Sequence, residues 1–185
     1  PANRFRLYIR NDVVSQIWNY GIAATIAAEQ PDLYEAGRIE LAADLVLGSS
    51  GVEAGQFFEP RSMAFAPDGS LYVADTGNHR IQHLAPDGTV LQVWGGFADI
   101  AQGQAPDGFF NQPWGIAVGP DGSVYVADTW NHRIQKFTPE GDFLLKWGYG
   151  ISQTDDPYGF YGPRGIAVDK DGYVYVTDTG NKRVI

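Results

Sequence analysis

Three stretches of this chain are copies of one another, and that self-similarity limits its fold more than any single residue does. Pro60–Leu84, Pro113–Phe137 and Pro163–Ile185 align without a gap. The first two agree at 16 of 25 positions, and ten of the 23 positions shared by all three are invariant. Asp75, Asp128 and Asp178 hold the same place in each copy, 53 and 50 residues apart. A period near 50 suits a propeller blade and is too long for a single leucine-rich or ankyrin unit.

The interior of each copy reads as β-structure. Met63-Ala64-Phe65, Ile116-Ala117-Val118 and Ile166-Ala167-Val168 are short apolar runs, as expected of strands covered on both faces. Leu71–Ala74, Val124–Ala127 and Val174–Thr177 follow, rich in strand formers. Pro67-Asp68-Gly69, Pro120-Asp121-Gly122 and Lys170-Asp171-Gly172 join the two runs by tight turns. There proline presets φ and glycine supplies the left-handed position. Third strands are expected at Arg80–Leu84 and Arg133–Phe137, and fourth strands at Val90–Trp94 and Phe143–Trp147. Each copy is therefore a four-stranded meander.

Composition agrees. Across 185 residues, 23 Gly and 11 Pro place breakers all along the chain, and aromatics reach 14%. That mixture suits short strands and tight turns. With 13 Lys+Arg against 22 Asp+Glu the net charge is −9, and unassisted binding to a phosphate backbone is disfavoured, because that affinity comes from cations displacing counterions. The absence of cysteine excludes disulfides, thiolate metal sites and thiol nucleophiles in this sequence, and leaves the compartment open. No run approaches the roughly 18 apolar residues of a membrane span.

The pattern G-x-F-x-x-P-x-G-I-A-V-x-x-D-G-x-V-Y-V-A-D-T-x-N-H-R-I-Q-x-F, repeated from Gly51 to Ile185, resembles that of NHL repeats. Asn78-His79-Arg80 and Asn131-His132-Arg133 match its core letters, and Asn181-Lys182-Arg183 departs only at the middle residue. The resemblance implies an all-β, NHL-type β-propeller, commonly with six blades. A closed ring of that size needs on the order of 270 residues. The expectation is thus an incomplete propeller of two full four-stranded blades and part of a third. Its blades fall at 41–96, 97–148 and 149–185 behind an N-terminal segment at 1–40, and the whole is a piece of a longer, bacterial protein.

Residues 4–10 alternate apolar and polar as a half-buried strand, and a short helix is expected from Asn11 or Asp12 to Gly21. A strand at 41–47 would stand where the outer strand of a preceding blade lies. The first fifty residues also resemble the stretch joining a multispanning glycosyltransferase-like membrane protein to a trailing NHL domain. This implies a membrane tether outside the region and an extracytoplasmic location.

Candidate chemistry divides between architecture and recognition. Asp75, Asn78 and Arg80, with Asp128, Asn131 and Arg133, and Asp178, Asn181 and Arg183, recur in every blade. A catalytic group is needed once per site, whereas capping of strand ends and carboxylate–Arg pairing are needed in each blade. His79 and His132 repeat one per blade and do not converge on one ion; the third histidine is His83. Asp169-Lys170-Asp171-Gly172 lacks the further oxygen donors of a calcium loop and reads as a hairpin turn. No catalytic residue, metal site or cofactor is assigned.

Arg61, Trp114 and Arg164 differ between otherwise matching copies, each just after the proline that opens an inner strand. Peptide-amidating lyases, which resemble this pattern, place zinc-binding histidines there. Two Arg and a Trp favour an anionic or sugar-like group instead, through bidentate hydrogen bonds and stacking. Trp130, with Gly77 and Gly180 at the matching positions, is a further aromatic candidate, as are Phe97, Asp99, Asp107, Asp155, Asp156, Tyr158 and Tyr161 in or beside the inter-blade loops.

The expected function is a non-catalytic binding or scaffolding module that takes a protein or glycan ligand through its loop face and channel mouth. Two alternatives stand beside it: a propeller lyase or hydrolase whose channel metal is completed by further blades, and an accessory domain of the membrane glycosyltransferase-like protein. Nucleic acid is the least favoured partner, since residues 51–185 carry nine Lys/Arg against sixteen Asp/Glu.

Overall fold

A computed structural model describes residues 45–103, 105–149, 156 and 158–185. The strand expected at 4–10, the helix after it, residues 41–44 and Asp155 lie outside the described residues. Leu47–Ile185 form one compact unit.

The first blade is an antiparallel meander of β3 (Pro60–Phe65), β4 (Leu71–Asp75), β5 (Arg80–Leu84) and β6 (Val90–Gly95). The second repeats it with β7 (Pro113–Val118), β8 (Val124–Asp128), β9 (Arg133–Phe137) and β10 (Phe143–Trp147). The third holds β11 (Pro163–Val168), β12 (Val174–Asp178) and β13 (Arg183–Val184). Ahead of them, β1 (Ser49–Ser50) pairs in parallel with β2 (Gln56–Phe57). The hairpin glycines close their turns as expected: Gly69, Gly122 and Gly172 have φ of 85°, 79° and 86°. Each donates its N–H to the carbonyl three residues back.

The strand expected at 41–47 is not seen in its described part. Leu45–Leu47 are irregular and the chain turns at Gly48, with φ of 78°, before the two-residue β1. The Leu47 side chain joins Phe57 and Val90 against Leu71, Val73 and Leu84. Burial of leucine is satisfied by this packing alone, without a ladder.

Blades stack face to face. Tyr72, Ala74 and Ile81 of the first meet Ile116, Val124, Val126 and Phe137 of the second, with Phe110 from the connecting loop. Ala127 and Ile134 meet Val176 and Phe160 in the same way one blade on. Tyr72 is 1% and Tyr125 6% exposed, whereas the matching Tyr175 of the third blade is 48% exposed. Met63 of the first blade is 63% exposed where Ile116 of the second is 4%. Both outer faces of the stack thus present residues that are buried between blades.

Inner strand β7 lies against both β3 and β11. Gly115 makes the second approach possible, since a Cβ there would stand 2.2 Å from the Arg164 carbonyl oxygen. Register then sorts the two ends of each blade: in the first, Pro60 pairs with Asp75, Asp75 with Arg80 and Arg80 with Gly95. The opening prolines, the Asp-Thr-x-Asn turns and the starts of the inter-blade loops therefore share one face, opposite the Asp-Gly hairpins.

Candidate functional site

At that face each Asp-Thr-x-Asn-x-Arg segment builds a buried network. Asp128 accepts from the Asn111 N–H at 2.7 Å, from Asn131 Nδ2 at 3.0 Å, from Arg133 Nε at 2.8 Å and from Gln135 Nε2 at 3.2 Å. Arg133 carries the connection outward, donating to the carbonyls of Ala105, Pro106 and Phe109 at 2.7–2.9 Å. Asp75 and Arg80 repeat the bond at 2.7 Å, with Arg80 reaching the Glu53 and Gln56 carbonyls. Asp178 and Arg183 repeat it at 2.9 Å, reaching the Asp156 and Gly159 carbonyls. Burial pushes the Asp128 carboxyl up to about 6, against the pull of the Arg133 guanidinium and the donors from Asn111 and Asn131. Breaking such a pair leaves a buried charge unmatched and costs on the order of 3–5 kcal/mol. These arginines are committed to holding loops.

Sequence reasoning missed the work of the residues between them. Thr76 Oγ1 donates to the Pro113 carbonyl at 2.5 Å, and the Gln112 N–H donates to His79 Nδ1 at 3.0 Å. One blade on, Thr129 Oγ1 donates to the Pro163 carbonyl at 2.8 Å and the Gly162 N–H to His132 Nδ1 at 3.0 Å. Each Thr–His pair therefore grips the two residues that open the next blade. The available signal was the recurrence of Thr and His with Pro on the following copy, but nothing in the letters pairs them across blades.

What the grip positions, in the second and third blades, is the residue after the proline, Trp114 or Arg164. Arg61, Trp114 and Arg164 converge at the entry ends of β3, β7 and β11, where they line an open cleft of ≈ 560 Å³. Arg61 Cζ lies 4.1 Å and Arg164 Cζ 4.2 Å from the centroid of the Trp114 ring. Coming from the blades on either side, the two guanidiniums both pack on the indole. Two cations on one ring is an unusual concentration of positive charge in an acidic chain, held by the negative π-face. Arg61 is also 3.6 Å from Glu59, with both side chains about half exposed. An exposed pair of that length contributes at most about 1 kcal/mol. Arg164 forms no ion pair among the described residues. Both guanidiniums take up indole surface on which a sugar would stack, and two cations match the anionic of the two ligand classes read from the sequence.

Trp130 is not brought into this cluster. It is 41% exposed and its Nε1 donates to Gln112 Oε1 at 2.9 Å. A Cβ on Gly77 or Gly180 would stand 2.3 Å from Phe58 or 2.1 Å from Tyr161, the aromatics that occupy the place of Asn111. Trp130 fills from the turn the volume that the other blades fill from the loop. Among the loop residues, Phe97 lies edge-on to His79, Asp99 caps a short 3-10 turn, and Asp107 pairs with Lys146 at 2.5 Å. Asp156 accepts from the Arg-side loop residues Tyr149 and Tyr158, and Tyr158 is the most exposed aromatic of the group.

A serine, a histidine and an aspartate also meet at the opposite face. Ser70 Oγ donates to Asp68 Oδ1 at 2.6 Å and lies 2.7 Å from His83 Nε2. The carboxylate holds the hydroxyl and not the imidazole, the wrong order for activating a nucleophile. Ser123 and Asp121 repeat the bond at 2.9 Å with Lys136 in place of His83, so it belongs to the hairpin. Among the described residues no group of three or more His, Asp or Glu is placed to hold a metal ion.

Comparison with known proteins follows the same lines. The NHL repeat family matches residues 57–84, 110–137 and 160–185. Mouse peptidyl-glycine alpha-amidating monooxygenase is 32% identical over 108 residues, 56% of this chain and 10% of its own. Chicken NHL repeat-containing protein 2 is 36% identical over 94 residues, 50% of this chain and 13% of its own. The chain thus spans only about a tenth of the length of these curated relatives. Among solved structures, streptogramin B lyase matches with a TM-score of 0.50 at 19% identity, over 68% of this chain and 36% of that one. A catalytically inactive virginiamycin B lyase from Staphylococcus aureus, with quinupristin, matches at 0.52 and 16% identity, over 81% and 42%. At such identities these structures speak for the fold alone. Stacked four-stranded blades, their repeated Asp–Asn–Arg networks and the three family matches make this chain an NHL-repeat protein with the blades of a β-propeller.

Proposed function

We propose that the chain is a non-catalytic binding module that captures an anionic ligand at the entry ends of its inner strands, with further blades seated on the exposed faces of the first and third. The observation that carries this reading is the packing of Arg61 and Arg164 on the one Trp114 ring. The other blade arginines, Arg80, Arg133 and Arg183, each meet a buried aspartate within 2.9 Å. Arg61 and Arg164 have no such buried partner, and contact with the indole leaves guanidinium N–H groups able to bond an anion. Contributions from three successive blades make the site depend on the stacked architecture. Titration of the intact protein with a panel of carboxylate and phosphate ligands, followed by Trp fluorescence and calorimetry, tests it. R61Q/R164Q should lower affinity by about tenfold or more without changing the fold, each lost charge-assisted bond being worth about 1.5–3 kcal/mol. Unchanged binding by the double variant removes the proposal. A lyase or hydrolase using a channel metal predicts stoichiometric zinc or calcium in the purified protein, which metal analysis reads directly.

A further inference from the structure

We propose that a second cleft, between the hairpins of the first and second blades, binds an alkylammonium group. It is open, measures ≈ 450 Å³, and its lining includes Asp68, Tyr72, His83, Leu91, Pro139 and Glu140. That volume lies in the usual range of small-ligand sites, about 300–1,000 Å³. The second blade repeats part of this lining with a cation of its own in place. There Lys136 Nζ stands 5.0 Å from the centroid of the Tyr125 ring and bonds Asp121 Oδ2 at 3.2 Å. In the first blade Tyr72 and Asp68 hold the places of Tyr125 and Asp121, but His83 replaces Lys136. The His83 ring stacks on Tyr72 with centroids 4.0 Å apart. Burial holds the imidazole below its ordinary value, against the upward pull of Asp68 and Glu140, so at pH 7.5 it is uncharged. The first blade thus keeps the carboxylate and lacks the cation that answers it in the second.

The hydrogen bonds at this lining leave acceptors over. Asp68 Oδ1 receives the Ser70 hydroxyl and N–H. Since the one hydroxyl proton goes to the carboxylate, the 2.7 Å contact between Ser70 Oγ and His83 is a donation from Nε2. Neutral His83 then carries its lone pair on Nδ1, which has no hydrogen-bond partner among the described residues. Glu140, from the last hairpin of the second blade, has neither a hydrogen bond nor an ion pair among the described residues. An ammonium has three N–H donors and no acceptor, so it matches a lining of acceptors and negative charge. Leu91, Pro67 and Pro139 supply apolar wall for the methylenes behind it. A lysine side chain of a partner and a free alkylamine share this chemistry.

The test uses the intact protein at pH 7.5, fluorescent Gly/Ser peptides carrying one Lys or one acetyl-lysine, and cadaverine as the free amine. Anisotropy should show the Lys peptide binding about tenfold tighter than the acetyl-lysine peptide, because acetylation removes the charge. E140Q should weaken binding of the Lys peptide, and D68N/E140Q should weaken it by about tenfold or more. H83K copies Lys136 into the first blade and should abolish binding, since the chain then supplies the cation itself. D87N/D171N removes two charges from exposed turns elsewhere and should leave the affinity nearly unchanged. Circular dichroism establishes that each variant is folded, and E140Q, at an exposed position, carries the test should D68N not fold. Cadaverine that displaces the Lys peptide at equal concentration assigns the site to a free amine, and displacement only in large excess assigns it to a protein lysine. Equal affinity for the two peptides overturns the proposal. So does equal weakening by D87N/D171N, which would mean general attraction to an acidic chain, and so does failure of both the Lys peptide and cadaverine to bind.

Discussion

Trp130 and its counterparts show how one volume is filled by either of two positions. In the first and third blades an aromatic precedes the opening Pro by two residues, Phe58 or Tyr161, and the turn residue beneath is Gly. In the second blade the pair is inverted, Asn111 with Trp130. The two positions are therefore coupled through shared space. We expect N111F alone to destabilise the chain by about 1–3 kcal/mol, the usual range for overpacking, and W130G added to it to recover most of the loss. Urea denaturation of the two single variants and the double closes the cycle. Additive effects would show that the two side chains do not compete. Sequence reading placed Trp130 among ligand candidates because it stood out from two glycines. The explanation lay 19 residues away in Asn111 and is visible only once the loop is folded over the turn.

Between elements, the Thr–His grip joins each blade to the next. His79 and His132 accept through Nδ1, so the ring must be unprotonated there. Burial lowers both histidines below the ordinary value of 6.5, although Asp178 and Asp99 pull His132 back upward and Tyr161 stacks on its ring. A depressed folded-state value means that this contribution is fully present above 6.5 and is lost as pH falls through the folded value. Each bond is worth about 1 kcal/mol. Asp128, whose folded value is raised, works in the opposite sense, and His83 is lowered as well. The histidine contribution is therefore read as a difference between proteins that share both groups. H79N/H132N keeps an oxygen acceptor and a residue that tolerates the left-handed φ of 54° and 55°, but does not titrate. Unfolding free energies at pH 7.5 and 5.5 should fall more for the unaltered chain than for this variant. Parallel falls would remove the histidines from the account. From the sequence, the repetition of these histidines argued against a shared metal. What they do instead required the neighbouring blade to be in place.

At the scale of the whole molecule, charge and blade stacking set what the surface can meet. The net charge of −9 accompanies a local pair of cations at the inner-strand entry, so a polyanion as long as a nucleic acid meets net repulsion. We expect no gel shift of single-stranded RNA at physiological salt. A salt-sensitive shift with a slope reporting several phosphate contacts would contradict this picture. The same stack leaves Tyr175 and Met63 exposed on opposite outer faces, at positions that are covered wherever two blades meet. Those faces carry residues of the kind that pack between blades.

The period, the four strands of a blade and the Asp-Gly turns were all legible in the sequence, because each is decided by local chemistry: alternation, β-propensity, and the left-handed φ that glycine accepts. Of the strand expected at 41–47, the described residues Leu45–Leu47 are irregular, since an apolar run alone does not say whether a ladder partner exists. Arg61, Trp114 and Arg164 could be picked out as the positions where copies diverge, yet their union was not in the letters. They are separated by 53 and 50 residues, and only the radial stacking of three inner strands, with Gly115 admitting the close approach, brings two cations onto one indole. Local rules repeat identically in each copy, whereas a contact between copies exists only when both are packed.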